Sequence, residues 1–295
     1  MGEAFNLGQR FRERRAIVTG ASRGIGAAIA ERLAAEGADV AITARTLDRH
    51  DTLPGSLGET AARLERYGTK VGIVVADLAD EHDRARIVPE AAAALGGPID
   101  ILVNNAAAAM FAPAETFPLK RRRILFEVNV NAPLDLSAAV IPAMRKTGEG
   151  WIVNLSSAST KRWPGPPVRF PAATTNITFY GASKAALDRM TNGLAAELYG
   201  TGIRVNTVQP RASVHSEGAD VLMSNFDAAK NYETMEEMVE ATVALCDCAP
   251  DITGRICVSL DLISESGLEV HHLDGSPGGP VSTFSTYEEI ARADP

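Results

Sequence analysis

Residues 16 to 37, AIVTGASRGIGAAIAERLAAEG, read as a short apolar strand, a glycine turn and an amphipathic helix. Ala16-Ile17-Val18 is too short and too uniformly apolar for a surface helix and stops at Thr19-Gly20, which fits a buried parallel strand. Gly20, Gly24 and Gly26 form the turn. Glycine there allows backbone conformations closed to other residues and removes Cβ atoms that would hold an anion away from the N–H groups of a helix N-terminus. In the helix, Ile25, Ile29 and Leu33 recur every four residues, Arg32 and Glu36 fall elsewhere, and Gly37 supplies the stop. Such a unit seats a nucleotide pyrophosphate in doubly wound α/β proteins; a glycine turn without a ligand is the alternative.

The chain has 295 residues, 45% hydrophobic and 22% charged, enough for one large core. A net charge of −8 and a pI near 5.3 argue against a nucleic-acid partner. The only basic cluster, Lys120-Arg121-Arg122-Arg123, reads as a solvated helix face. No apolar run approaches the ~20 residues of a bilayer span and MGEAFNLGQRFRERR lacks a signal-peptide core, so the expectation is a cytoplasmic protein with no membrane partner. Cys246, Cys248 and Cys257 are an odd, late set that reads as buried hydrophobes rather than disulfides or metal ligands. His271-His272 has no third ligand in sight, and no metal is expected.

Outward from the glycine turn, apolar strands recur at Asp39–Thr43, Val71–Ala76, Asp100–Asn104, Trp151–Leu155, Arg204–Val208 and Arg255–Leu260. Helices are expected between them at 59 to 67, 81 to 94, 119 to 146, 177 to 199 and 235 to 246. This alternation predicts a doubly wound α/β (Rossmann) fold: a seven-stranded parallel sheet with helices on both faces. After the second strand stands Ala44-Arg45, with no carboxylate until Asp48. A basic residue there suits the 2′-phosphate of NADP, where an acid would suit the ribose hydroxyl of NAD, and Arg23 could supply a second cation. Each arginine alone could equally be an ordinary surface residue.

The string TGASRGIG, spaced G-x-x-x-G-x-G, resembles the short-chain dehydrogenase/reductase family. That resemblance implies a coenzyme cradle of Gly20, Ser22, Arg23, Gly24, Ile25 and Gly26. It implies an adenine contact at Asp77-Leu78, where Asp77 could also cap the helix at 81 to 94. Asn104-Asn105-Ala106-Ala107 is similar to the family's NNAG, with Ala107 where glycine is usual; Asn105 and Ala106 match its coenzyme-lining positions. Asn129, inside a helix, is unfavourable by propensity and often bends it; the family gives such an Asn the role of holding a relay water.

Tyr180-Gly181-Ala182-Ser183-Lys184 follows a fifth strand that ends in Ser156-Ser157. A helix presents Tyr180 and Lys184 on one face, one turn apart. Bringing a phenol from about 10 to about 7 takes about 4 kcal/mol. An ammonium ~4 Å away at an effective dielectric near 20 supplies about that much. The resemblance covers residues 14 to 215 and assigns Tyr180 as general acid/base, Ser157 as donor to the substrate oxygen, Lys184 as ribose anchor and pKa depressor, and Asn129 as relay.

The implied function is hydride transfer between NADP(H) and a small-molecule carbonyl or secondary alcohol. The alternatives are an NAD-linked alcohol dehydrogenase and a silent nucleotide-binding protein. Ser157 and Tyr180 lie further apart than the family usually has them, and the surplus TKRWPGPPVRFPAATTN (within 158–176) is expected to wall the substrate cleft, a surface excursion or a subunit contact being the alternative. After the sixth strand, Pro210-Arg211 replaces the usual Pro-Gly. With the long loop at 46 to 58, these departures resemble the hydroxysteroid dehydrogenase-like branch. Residues 212 to 234 are expected to form a substrate flap. The catalytic domain is expected to span 1–263 and an extended tail 264–295. By the resemblance, the helices at 119 to 146 and 177 to 199 would pair subunits in a homodimer or homotetramer.

Overall fold

Alternate residues of the first strand, β1 (Arg15–Thr19), enter different cores: Ala16 and Val18 face one layer of helices and Ile17 the other, since strand side chains alternate between faces. In this computed structural model, which describes residues 10–48, 54–161, 176–211, 213–214 and 232–282, β1 lies near the centre of a seven-stranded parallel sheet. β2 (Asp39–Ala44) and β3 (Val71–Val75) lie on one side of it. On the other are β4 (Ile101–Asn104), β5 (Gly150–Leu155), β6 (Ile203–Gln209) and β9 (Ile256–Val258), giving the order β3-β2-β1-β4-β5-β6-β9. Ile17 pairs with Ala41 and Leu102, so both neighbours of β1 are in register at its apolar midpoint.

One core holds Ile29 and Leu33 of α1 (Gly24–Ala35), Leu57 and Leu64 of α2 (Leu57–Leu64), and Met238 and Val243 of a later helix. The other holds Ile87, Ala91 and Leu95 of α3 (Glu81–Leu95) with Leu136, Val140 and Met144. The latter three lie on α5 (Ala132–Thr147), which continues α4 (Leu119–Phe126) through a π-turn at Glu127–Asn131. The whole run Leu119–Thr147 has the length and apolar content of a membrane-crossing helix, contrary to the sequence reading. Here its apolar side is spent on the sheet. Lys120 to Arg123 are exposed, as expected of a solvated face. The helices α6 (Thr178–Glu197), α7 (Met235–Ala244) and α8 (Ser259–Ser266) complete the layers. The three cysteines are free and buried.

Two expectations about the C-terminal third need correction. The last sheet strand stops at Val258, the partner of Gln209, and Ser259 at once begins α8, closed by Gly267 at a left-handed φ of 60°. The expected boundary at 263/264 therefore cuts through a helix. Nor is the described part of the expected tail loose: Val270 is buried, His271 bridges Pro277, and Ser282 donates to the Glu237 carboxylate. In the expected flap, Ser213–Val214 (β7) pairs in parallel with Tyr232–Glu233 (β8). Residues 215 to 231, and the surplus loop at 162 to 175, lie outside the described residues.

Candidate active site

The glycine turn meets β4 at the carboxyl ends of the strands. Thr19 Oγ1 accepts the N–H groups of Asn105 and Ala106, each at 3.0 Å, and Asn105 Nδ2 donates to the Thr19 carbonyl at 2.8 Å. A Cβ on Gly26 would fall on Asn105 Nδ2 and the Gly20 carbonyl, so this glycine serves the chain's own packing as well as any anion. The N-cap of α1, Arg23, is extended and makes no side-chain cap bond, and no acid occupies the first turn. An uncapped, acid-free helix N-terminus fits a pyrophosphate. Ser22 and Gly26 are buried and Gly24 and Ile25 half-buried beside it.

Arg23 Nη2 donates to the Gly55 carbonyl at 3.0 Å, while its buried Nε has no partner. Arg45 is exposed just past β2. Asp77 accepts from the Ala79 N–H, but the cap of α3 is Asp80, which accepts from His82 and Asp83. The capping role considered for Asp77 is thus filled three residues later, where the side chain can reach the first free N–H groups. The Leu78 carbonyl accepts from Arg84. Ala107, in place of the usual glycine, is exposed and has no left-handed φ, so its Cβ is accommodated.

Asn129 sits in the π-turn, fully buried. Its amide accepts from the Ala108 N–H at 2.8 Å and donates to the Ala108 carbonyl at 2.9 Å and Ser183 Oγ at 3.0 Å. It therefore clamps the segment after β4 onto α6, and the turn's wider helical spacing accompanies that inward side chain.

Ser157 and Tyr180 come together as expected: the Ser157 side chain lies beside the Tyr180 phenol, and Ser157 Oγ accepts from Ser159 Oγ at 3.0 Å. Gly181 makes the approach feasible, since a Cβ there would lie 2.7 Å from the Ser159 carbonyl. Burial pushes the Tyr180 phenol up, against the opposing hydrogen bond from Ser157. Lys184 is buried and donates to the Leu155 carbonyl at 2.7 Å; burial pulls its ammonium down to about 8, with Asp188 opposing. The expected depression of Tyr180 by Lys184 does not show in the direction of the phenol's shift, which burial sets upward. The ammonium is turned to the end of β5 instead.

Several residues of the site escaped sequence reasoning. Thr19 organises the β1–β4 crossing, and Asn104 Nδ2 donates to Asn154 Oδ1, whose own amide donates to Thr191 on α6. That relay ties the helix of Tyr180 and Lys184 to the sheet. Phe111 meets the Tyr180 ring edge-on at 5.6 Å between centroids, an apolar surface beside the phenol. A cleft of 660 Å³ lies elsewhere, lined by Glu31, Arg66, Tyr67, His272 and Asp274, and touches none of the expected site residues. Its groups largely pair with each other, as Glu31 does with Arg66 and Tyr67.

An uncapped α1 N-terminus at the end of β1 and a Ser–Tyr–Lys group after β5, its lysine buried and its two hydroxyl residues half-buried, are the arrangement of an oxidoreductase on a doubly wound sheet. Comparison with known proteins agrees: the short chain dehydrogenase family model matches residues 14–224. The chain belongs to the short-chain dehydrogenase/reductase family. It is 32% identical over 269 residues to hydroxysteroid dehydrogenase-like protein 2 of Danio rerio, covering 90% of this chain and 61% of that one. The chain thus spans about three fifths of the length of that relative. Among solved structures, a short chain dehydrogenase of Mycobacterium thermoresistibile is 30% identical with a TM-score of 0.76, covering 93% of this chain and 95% of the other. One from Burkholderia cenocepacia in complex with NADP is 33% identical with a TM-score of 0.69, covering 85% and 97%.

Proposed function

We propose that the protein reduces a small-molecule carbonyl with NADPH, with Tyr180 as the proton donor. The observation that carries this reading is the meeting of Ser157, just after β5, with Tyr180 on α6, Lys184 standing one turn along the same helix. A phenol that keeps its proton at neutral pH is a donor to a carbonyl oxygen rather than a base toward an alcohol. Ser157 would hold that oxygen, Phe111 would shape the apolar side of the cleft, and Asn129 would keep α6 against the segment after β4. Lys184 would meet the coenzyme ribose, and the α1 N-terminus its pyrophosphate. The nicotinamide, when bound, supplies the hydride.

For the coenzyme, Arg45 and Arg23 favour a 2′-phosphate, because no carboxylate occupies the end of β2. NADPH should bind at least about tenfold tighter than NADH, each decade being about 1.4 kcal/mol. Arg45→Asp should erase or reverse that ratio; equal dissociation constants in the unsubstituted protein would turn the reading to an NAD-linked dehydrogenase. A screen of NADPH oxidation over ketones, aldehydes and steroids tests the reaction itself. Exposed Leu119 and Leu134 lie on the helical run by which family members pair, which supports a homodimer or homotetramer, to be checked by sedimentation.

A further inference from the structure

One turn beyond Lys184 on α6 stands Asp188, so Tyr180, Lys184 and Asp188 follow at four-residue spacing along one helical face. Lys184 and Asp188 are 2% and 6% exposed. The carboxylate of Asp188 raises the proton affinity of Lys184, and the Lys184 ammonium lowers that of Asp188. Three hydroxyls lie toward the carboxylate, Ser156 from the end of β5, Thr160 from the turn after it and Thr207 from β6; that of Thr160 itself donates to Gln209 Oε1 at 3.1 Å. Yet Asp188 Oδ1, Ser156 Oγ and Thr207 Oγ1 are buried without a well-aligned hydrogen-bond partner.

A buried carboxylate in an under-satisfied polar pocket is a costly way to pack a helix on a sheet. An apolar side chain would serve packing better, so the charge calls for another explanation. Burial works against both ions: it lowers the proton affinity of Lys184 and raises that of Asp188. Each ion opposes that effect on the other. Lys184 thereby stays close to half protonated near pH 8 instead of losing its proton lower.

We propose that Asp188 is a positioning residue for the reductase: its carboxylate, one turn along the same buried helical face, holds Lys184 as an ammonium, and Ser156 and Thr207 give that carboxylate polar surroundings. This rests on the reductase reading above. The sign is fixed by the charges. Without the carboxylate, the burial of Lys184 is no longer opposed by it, and the proton is lost at lower pH.

The test is the pH profile, from 5.5 to 9.5, of NADPH oxidation and, separately, of NADPH affinity by fluorescence. Asp188→Asn should move the alkaline fall of kcat, and the alkaline weakening of NADPH binding, to lower pH by at least about one pH unit. The loss should be greatest at pH 8 to 9 and shrink toward pH 6. Thr207→Val should shift both curves the same way by less, and serves if the Asn variant does not fold. Asp188→Glu should restore part of the shift. Curves that superimpose on those of the unsubstituted protein, or a loss that is the same at every pH, would overturn the assignment. The two failures read differently: an unsubstituted protein without turnover removes the reductase reading and the role of Asp188 with it, whereas turnover with coincident profiles removes only Asp188.

Discussion

Two clusters of buried charge lie on opposite faces of the sheet and are built by opposite rules. Under α1 and α7, Arg32 is fully buried between Glu36, one turn on, and Glu240, 3.0 Å from its Nη2. Glu240 also accepts His271 Nδ1 at 3.0 Å, and Arg32 Nη1 donates to the His272 carbonyl. Glu36 Oε2, buried there without a hydrogen bond, still faces Arg10 at 3.6 Å. Beneath the candidate active site, by contrast, Lys184 has one hydrogen bond and three polar atoms around Asp188 are unmatched. A network whose charges are met on every side fixes geometry: here it fastens the segment after α8 to the first helix. A cluster left short of partners retains the capacity to respond to a ligand or a proton.

The largest effect should separate chemistry from structure. Tyr180→Phe should lower kcat by about 10²-fold or more while NADPH affinity stays within a few-fold and the melting curve is little changed. More than about a tenth of the unsubstituted rate would be incompatible with general-acid work by Tyr180.

Next comes the network under α1. Arg32→Met leaves Glu36 and Glu240 buried without their shared cation, and removing one partner of such a set costs about 3–5 kcal/mol. Urea unfolding should show that loss, with kcat per folded molecule unchanged within about twofold. A stability loss under about 1 kcal/mol would mean the network behaves like a surface ion pair.

The smallest expected change is in the stability of the double variant Lys184→Met/Asp188→Leu. Replacing both members of a buried pair by apolar groups is often neutral or stabilising by about 1–4 kcal/mol, so this variant should fold as well as the unsubstituted protein while losing turnover. Its pH dependence sharpens the point. The folded Lys184 titrates near 8 and an unfolded lysine near 10.5, so between these values the unfolded chain holds a proton that the native one has lost. The unsubstituted protein should therefore gain stability from this group as pH rises through that window, and the double variant should lack the gain. Destabilisation of the double variant by several kcal/mol would place Lys184 and Asp188 among the residues that hold the fold.

What could be read from residues was what local pattern encodes. The apolar strands, the glycine turn and the four-residue spacing from Tyr180 to Lys184 reappear in the sheet and in α6 because each is set by near neighbours. Asn129 was legible as an anomaly, but its partners Ala108 and Ser183 are brought to it only by the fold. The magnitude argument for Lys184 assumed a distance that no sequence contains, and Nζ is spent on Leu155. The segment after Ser266 looked unstructured because it has little periodicity. Its order comes from Glu237 and Glu240, more than two dozen residues away. Asp188 offered no motif at all; its meaning depends on hydroxyls from three other elements.

Trp151 carries a consequence for observing all this. Its indole lies between the guanidinium groups of Arg14 and Arg204, each 4.8 Å from the ring, and its N–H donates to the Cys248 carbonyl. The chain has two tryptophans, the other being Trp163 in the surplus loop before Tyr180. Trp163→Phe leaves a single emitter, clamped by cations between β5, β6 and the segment before β9, whose spectrum reports the integrity of that corner. Trp151→Phe leaves the emitter of the surplus loop alone. The first variant turns the intrinsic fluorescence of the molecule into a channel for the frame alone, in which unfolding is followed without the signal of the second tryptophan.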